Sequence, residues 1–193
     1  MPFDRLLLEC ARAARAGSMM LAQSVHDWSS FMSESAQNDT FTDEAELRRI
    51  NRATVETYMA ALGEARLQRH LLFTEDGVGG LWTTDTGAPI AIRGRDRLGE
   101  HAVWSLKTFP DWEWYNVRIF ETQDPSRFWV ECDGRGRILF ADYPEGWYEN
   151  HFLHSFELEN GRITLQREFM NPFEQLRSLG IPVPQIKRAG IPT

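Results

Sequence analysis

Helical spacing of apolar residues recurs in three segments between residues 47 and 107. Apolar positions repeat every three or four residues from Leu47 to Leu62, which predicts an amphipathic helix. Gly63 favours the end of that helix, because glycine readily takes the left-handed conformation found after helix C-termini. The same spacing predicts two shorter helices, at 67–71 and 95–107.

Strand-like alternation, interrupted by turn residues, occupies most of the remaining chain. The strongest signal is Asn160-Gly161, a dipeptide typical of two-residue hairpin turns. We predict a last helical turn at 173–179, and strands at 78–84, 90–93, 112–121, 128–132, 147–157 and 162–170. This order predicts an α+β domain, in which helices cover a curved antiparallel sheet and leave a pocket between the two layers.

The first 40 residues differ from the rest of the chain, although a short amphipathic helix is possible at 3–16. They combine an Ala/Arg-rich stretch with a polar segment at 33–39. We interpret residues 1–40 as a partly disordered N-terminal extension and residues 41–193 as one folded domain. A chain of this length buries enough surface for a core without disulfides or a metal.

The composition narrows the classes of function. The 21 basic and 28 acidic side chains leave a net charge of −7, which opposes a nucleic-acid partner. No apolar run approaches the roughly 18–20 residues of a membrane span. Two cysteines, Cys10 and Cys132, make no disulfide framework and favour a reducing cytoplasm. Seven tryptophans exceed the needs of a core of this size, so we expect some aromatic residues to line a cavity.

One predicted helix carries a candidate group for proton transfer. His101 and Ser105 are four residues apart within 95–107 and therefore share one helix face. The ordinary pKa of histidine, about 6.5, suits proton exchange near neutral pH. Judged from the residues alone, a surface or half-buried histidine without a catalytic role is the more frequent alternative.

Two further charged residues stand out. Glu168 lies in a predicted strand, and a carboxyl group pushed into an apolar cavity has a raised pKa that suits proton exchange at neutral pH. Arg69 closes the second helix and presents a planar fork suited to a carboxylate. Both also fit plain roles, namely a solvated glutamate paired with a neighbouring strand and a cation placed against the helix dipole.

Motifs for metal or cofactor binding are weak or missing in the sequence. His151 and His154 are three residues apart on a predicted strand, so their rings point to opposite faces, which argues against a shared metal site. No nucleophile elbow or P-loop occurs, and Gly134-Arg135-Gly136 alone is too weak to indicate phosphate binding. The residues by themselves therefore indicate an α+β domain with an aromatic pocket, with no metal and no cofactor.

Six blocks of the chain resemble the phenazine-biosynthesis A/B proteins, small members of the nuclear-transport-factor-2-like (NTF2-like, SnoaL-like) superfamily. One block is Arg-Glu-Phe-Met-Asn-Pro at 167–172, and the others lie at 46–56, 109–114, 128–136, 154–162 and 183–188. The N-terminal extension is outside the resemblance. The resemblance implies a cone of curved antiparallel sheet closed by three helices, and a homodimer formed through the sheets.

The resemblance also implies a reaction, the condensation of two molecules of 6-amino-5-oxocyclohex-2-ene-1-carboxylate to hexahydrophenazine-1,6-dicarboxylate. Each amine attacks the ketone of the other molecule, and two waters leave. Such imine formation needs no redox cofactor and no metal. The partners that it implies are this substrate, a second copy of the chain and other enzymes of the phenazine pathway.

The roles known in this family fall on five positions of the chain. Glu168 resembles the acid/base residue that protonates the carbinolamine, and His101 resembles its partner in proton transfer. Arg69 resembles the guanidinium that binds a substrate carboxylate, while Ser105 and Tyr148 resemble groups that hydrogen-bond the ligand. Many members occur as two paralogues, one of which lacks the histidine, so His101 places this chain with the competent type.

Strand register sets a condition on two of these residues. With a two-residue turn at Asn160-Gly161, Glu168 faces Leu153, and Tyr148 falls on the opposite side of the sheet. Both line one pocket only if a β-bulge or a three-residue loop intervenes. Three aromatic residues are candidates for either the pocket wall or the core: Phe73, Trp82 and Trp104.

Two other functions stay open on the sequence alone. A ketosteroid-isomerase-like, proton-shuttling isomerase would use one molecule of a cyclic ketone per site, which gives first-order kinetics, whereas condensation gives second-order kinetics. A non-catalytic scaffold that shelters a reactive intermediate is the other alternative, because two aminoketones also react spontaneously. A scaffold predicts no enzyme pKa in the pH–rate profile, whereas acid/base catalysis predicts a bell-shaped curve.

Overall fold

The computed structural model describes residues 43–185 and 187–190. Residues 43–60 are helical (α1), and a 3-10 helix follows at Gly63–Leu72. The later helices are α2, Arg95–Thr108, and α3, Pro172–Ser178. The predicted extension over 1–40 lies outside the described residues, and no helix within them is long and apolar enough to cross a membrane.

Six strands form a single curved sheet, which confirms the α+β architecture. In chain order they are β1 (Phe73–Leu81), β2 (Ile90–Arg93), β3 (Glu113–Glu121), β4 (Arg127–Ile138), β5 (Gly146–Glu159) and β6 (Arg162–Met170). Their order across the sheet is β2-β1-β6-β5-β4-β3. Neighbouring strands are antiparallel, except that β1 and β6 run parallel.

The inner face of the sheet carries the hydrophobic core. On β5, Tyr148, Phe152 and Phe156 are each at most 3% exposed, and they alternate with exposed residues. Helix α1 contributes Val55 and Met59 to the same cluster. The alternation of β5 thus gives the sheet one face directed to the helices and one outer face.

A β-bulge lies beside the turn that joins β5 to β6. Asn160 and Gly161 both have left-handed φ angles, 47° and 79°, as the predicted two-residue turn requires. Near the turn Leu158 pairs with Ile163, but the next pair is Glu157 with Leu165, so β6 contains one extra, unpaired residue there. Beyond this shift Glu168 pairs with His154 instead of Leu153. Glu168 and Tyr148 therefore both lie on the inner face of the sheet.

Gly134 of β4 makes room for two aromatic rings. A Cβ atom at this position would lie 2.4 Å from Cζ2 of Trp112 and 2.6 Å from Cζ3 of Trp114. Glycine is a weak strand former, and the predicted end of this strand at residue 132 was too early for that reason. Close approach of the rings requires the glycine here.

Cys132, on the inner face of β4, is a free cysteine. It is 1% exposed and pairs across the sheet with Phe152. Burial raises the pKa of its thiol to about 12. The side chain therefore stays uncharged and is a poor nucleophile at neutral pH.

Candidate functional site

A cavity of about 520 Å³ lies between the inner face of the sheet, the 3-10 helix and α2. All five site residues predicted from the sequence line it: Arg69, His101, Ser105, Tyr148 and Glu168. Nine of its lining residues are Phe, Tyr or Trp, and Phe73 and Trp104 are among them, whereas Trp82 lies beside Arg167. The structure thus brings the predicted polar residues together in one apolar enclosure.

Glu168 is the acidic residue of this enclosure. It lies on β6, and a quarter of its side-chain surface is accessible, the part that faces the cavity. Burial raises the pKa of its carboxyl group to about 7, against the opposing effect of the Arg69 cation. A carboxyl group with this pKa donates or accepts a proton at neutral pH.

Arg69 lies on the 3-10 helix with its guanidinium held between helix and sheet. Its Nη2 donates to the carbonyl oxygen of Ala61 at 2.9 Å, and its Cζ lies 4.9 Å from the ring centroid of Tyr58. Burial lowers its pKa, and its Nε has no protein partner among the described residues. Most donors of this cation are therefore free for an acceptor in the cavity.

Helix α2 presents His101 and Ser105 to the cavity on one face, as the spacing predicted. The His101 ring stacks on Trp104, with 5.2 Å between ring centroids. Burial lowers its pKa below the ordinary histidine value, so the ring is neutral at neutral pH and can accept a proton. Ser105 Oγ accepts a hydrogen bond from Arg66 Nη2 at 2.9 Å.

Tyr148 presents its hydroxyl group to the cavity from β5. The Nδ2 of Asn150 donates to Tyr148 Oη at 2.9 Å, which leaves the phenol proton free to donate. Burial raises the pKa of this phenol well above its ordinary value. Tyr148 is thus a permanent hydrogen-bond donor at neutral pH, and the β-bulge beside the turn brings it to the same side of the sheet as Glu168.

A chain of polar side chains behind Glu168 was not predicted from the sequence. The backbone N–H of Gly80 donates to Gln166 Oε1 at 3.1 Å, so Gln166 Nε2 is the atom 3.2 Å from His154 Nδ1. An amide nitrogen only donates, so Nδ1 accepts and His154 is neutral. Burial lowers the pKa of His154 to about 3, and its Nδ1 lies 3.8 Å from Glu168 Oε2.

Arg66 is a third residue of the site that was not predicted from the sequence. It is 4% exposed, lines the cavity and donates from Nη1 to the carbonyl oxygen of Phe109. Burial and the neighbouring Arg69 lower its pKa to about 10, so it stays a cation at neutral pH. Its position three residues before Arg69, one turn of a 3-10 helix, is the signal that could have found it.

This set of groups suits acid/base chemistry on a small anion. The cavity offers two cations, two neutral hydroxyl donors, a neutral histidine as proton acceptor and a carboxyl group that titrates near pH 7. Within residues 43–185 and 187–190, no group of three or more His, Cys, Asp or Glu side chains is arranged to hold a metal ion.

Comparisons with known proteins point to one family. A family model described as phenazine biosynthesis protein A/B matches residues 32–193. Phenazine biosynthesis protein PhzB1 of Pseudomonas aeruginosa is 73% identical over 153 residues, which are 79% of this chain and 94% of that protein. Phenazine biosynthesis protein PhzB of Pseudomonas fluorescens is 69% identical over 161 residues, 83% of this chain and 99% of that protein.

Solved structures agree with this match. The crystal structure of the phenazine biosynthesis-related protein PhzB2 of P. aeruginosa matches with a TM-score of 0.78 and 71% identity, over 79% of this chain and 99% of that one. A putative polyketide cyclase of Xanthomonas campestris matches with a TM-score of 0.59 and 14% identity, over 69% and 98%. A putative SnoaL-like polyketide cyclase of Jannaschia matches with a TM-score of 0.55 and 16% identity, over 70% and 94%. At such identities the two cyclases show the fold alone, which is the fold expected from the sequence.

Proposed function

The chain belongs to the phenazine biosynthesis protein A/B family, and from this premise we propose that it condenses two molecules of 6-amino-5-oxocyclohex-2-ene-1-carboxylate to hexahydrophenazine-1,6-dicarboxylate. Each amine nitrogen forms a bond to the ketone carbon of the other molecule. Each resulting carbinolamine then loses its hydroxyl group as water, and two C=N bonds close the tricycle. Carbon, nitrogen and electrons balance without an oxidant or a metal.

Glu168 carries this proposal, because the slow part of imine formation is the loss of hydroxide from the carbinolamine. A protonated carboxyl group turns that leaving group into water. The buried Glu168, with a pKa of about 7, is protonated in half of the molecules at neutral pH. It gives its proton to the hydroxyl oxygen and regains one as the imine forms.

The other residues support the transfer in separate roles. Neutral His101 accepts the proton that the attacking amine releases, since burial lowers its pKa. Arg69 binds a substrate carboxylate, and the hydroxyl groups of Ser105 and Tyr148 orient the ligand. Holding two reactive molecules face to face also removes several kcal/mol of the barrier, with about 7–11 kcal/mol as the upper range.

The deciding experiment compares wild type with Glu168→Gln at equal concentration, with the aminoketone generated in place. We expect the amide to keep ligand binding and to lower tricycle formation at least ~10²-fold, the usual size of one acid/base contribution. Glu131→Gln is the matched control, because Glu131 lies on the outer face and pairs with Arg118 at 2.9 Å. Equal acceleration by wild type and Glu168→Gln would instead indicate the non-catalytic scaffold.

We also propose that the protein forms a homodimer through the outer face of its sheet. Trp129 and Leu153 are 40% and 39% exposed there, and Trp129 stacks on Phe169 with 6.4 Å between ring centroids. Contiguous apolar surface of this kind is typical of protein interfaces. Light scattering should give twice the chain mass for wild type and for Val103→Glu on α2, and the chain mass for Leu153→Glu.

A cytoplasmic location fits the same function, and we propose it on the state of one side chain. Cys132 is a free thiol in the core of the folded domain. Free thiols are the rule in reducing compartments. Other enzymes of the phenazine pathway would supply the aminoketone there and take up the tricycle.

A further inference from the structure

The cavity carries more positive charge than its one acidic group can neutralise. Arg66 and Arg69 both line it and both are largely buried. Among the described residues neither guanidinium lies within 4.0 Å of a carboxylate. Buried charges in proteins are normally paired, so two unpaired cations beside one cavity point to anionic groups on its ligand.

The two guanidinium groups are held by different neighbours at the cavity. Side chains three residues apart eclipse on a 3-10 helix, so Arg66 and Arg69 leave the same face. Arg69 turns toward α1, where it bonds the Ala61 carbonyl and stacks on Tyr58. Arg66 turns toward the last turn of α2, where it bonds the carbonyl oxygen of Phe109. The cations therefore offer two positions rather than one.

Ser105 completes the position at Arg66. Its Oγ accepts from Arg66 Nη2 at 2.9 Å, so the hydroxyl proton has to point elsewhere. Among the described residues this hydroxyl donates to no protein acceptor, and Ser105 lines the cavity. A hydroxyl proton and the remaining guanidinium protons side by side match the two oxygens of a carboxylate.

We propose that Arg66 and Ser105 form a second carboxylate-binding position, so that the cavity holds two carboxylates at once, one at Arg66 and one at Arg69. This inference rests on the proposed function, in which two carboxylate-bearing molecules meet in one site. Arg66 acts as a specificity-determining residue there: it selects a pair of anions, or a dicarboxylate, over a ligand with one carboxylate.

A purely structural role for Arg66 makes a different prediction. Its bonds to Phe109 O and Ser105 O also cap the C-terminal end of α2, where a cation is favourable. A cap alone would change the stability of the fold and would lower the affinity for every ligand to a similar extent. Only a carboxylate-binding position separates ligands by their number of carboxylates.

The test measures binding of two stable aromatic analogues, phenazine-1,6-dicarboxylate and phenazine-1-carboxylate, by calorimetry near pH 6.5. We expect wild type to prefer the dicarboxylate by about tenfold to a hundredfold, the effect of one charge-assisted hydrogen-bonded contact. Arg66→Met should reduce this preference to about twofold and leave monocarboxylate binding at Arg69 nearly unchanged. Arg66→Lys, which keeps the charge, should restore part of the preference.

Ser105→Ala keeps the test decisive if Arg66→Met fails to fold, because it removes one oxygen and keeps the cation. It should lower the preference by about fivefold, and less than that when Arg66 is already replaced, since the two residues act as one position. Unfolding curves in urea record how much each substitution costs the fold. A loss of stability without a loss of preference would mark Arg66 as a helix cap only.

The outcomes separate this inference from the proposed function. If wild type forms the tricycle but binds both analogues equally, or if Arg66→Met and Ser105→Ala keep the preference, the second position does not exist and the condensation stands. If wild type binds neither analogue and forms no tricycle, both proposals fail. A preference that depends on Arg66 and Ser105 supports the second position.

Discussion

The two histidines of β5 lie three residues apart and have opposite surroundings. His151 is on the outer face, where its Nδ1 lies 2.8 Å from Asp133 Oδ1 and its Nε2 lies 3.4 Å from Glu131 Oε1. His154 is fully buried on the inner face, and its hydrogen-bond partner is the neutral amide of Gln166. Strand alternation alone separates them, and burial away from water keeps the His154 ring neutral.

The carboxylates of the two faces differ in the same way. Glu131 on the outer face pairs with Arg118 at 2.9 Å in contact with solvent. Glu168 on the inner face has no such ion pair, and burial raises its pKa to about 7. Residues of the same type are thus a surface charge on one side of the sheet and a candidate acid on the other.

The largest expected difference between the faces is in the pH dependence of activity. Above pH 7 the proposed condensation should slow by about tenfold per pH unit, because Glu168 loses the proton that it donates. Glu131→Gln should keep this limb of the profile. Measurement of kcat/KM between about pH 5.5 and 9 tests it, and a flat alkaline limb in wild type would remove Glu168 from the role of acid.

The two histidines should differ next in their contribution to stability. His154→Ala leaves a cavity and an unpaired Gln166 amide, so we expect a loss of about 2–4 kcal/mol in the free energy of unfolding. His151→Ala removes only exposed pairs and should cost at most about 1 kcal/mol. Urea unfolding of both variants measures this, and similar losses would show that burial of His154 is unimportant for the fold.

A smaller effect concerns the pH dependence of stability, where the two inner-face groups oppose each other. His154 has a folded-state pKa of about 3 against 6.5 in the unfolded chain, so it destabilises the fold as the pH falls through this window. Glu168, at about 7 against 4.5, stabilises the fold as the pH falls from 7 to 4.5. Between pH 4.5 and 6.5 the pH dependences of the two contributions to the free energy of unfolding are opposite in sign and cancel.

Removing either group should reveal the slope of the other. Relative to wild type, Glu168→Gln should lose about 1.4 kcal/mol of stability per unit of falling pH between 4.5 and 6.5, the value for one proton. His154→Phe should gain stability with the same slope. Unfolding curves at three pH values test this, and parallel behaviour of all three proteins would contradict the cancellation.

Local patterns in the sequence predicted most elements of the fold. The helical spacing and the Asn160-Gly161 turn correspond to helices and a hairpin in the structure. The parallel pairing of β1 with β6 was not predictable, because it joins segments separated by five other elements. Spacing describes neighbours along the chain and says little about such distant pairs.

The polar residues of the site also divide into those that could be predicted from the sequence and those that depend on distant contacts. Resemblance to a family pointed to Glu168 and Tyr148, but only the β-bulge places them on one face, and its position follows from packing. Gln166 and His154 hydrogen-bond to each other from two different strands, and a contact of this kind is not visible in the sequence. The spacing of Arg66 from Arg69 indicates only a shared helix face, since its burial depends on how α2 closes over the 3-10 helix.

The buried thiol of Cys132 can report how often the sheet opens. A thiol with a pKa of about 12 and 1% exposure reacts with an alkylating reagent only while the strands are apart. In a Cys10→Ser variant, the rate of labelling therefore counts the openings of β4 against β5. A ligand that fills the cavity should lower the labelling rate of Cys132 by the factor with which it stabilises the closed sheet.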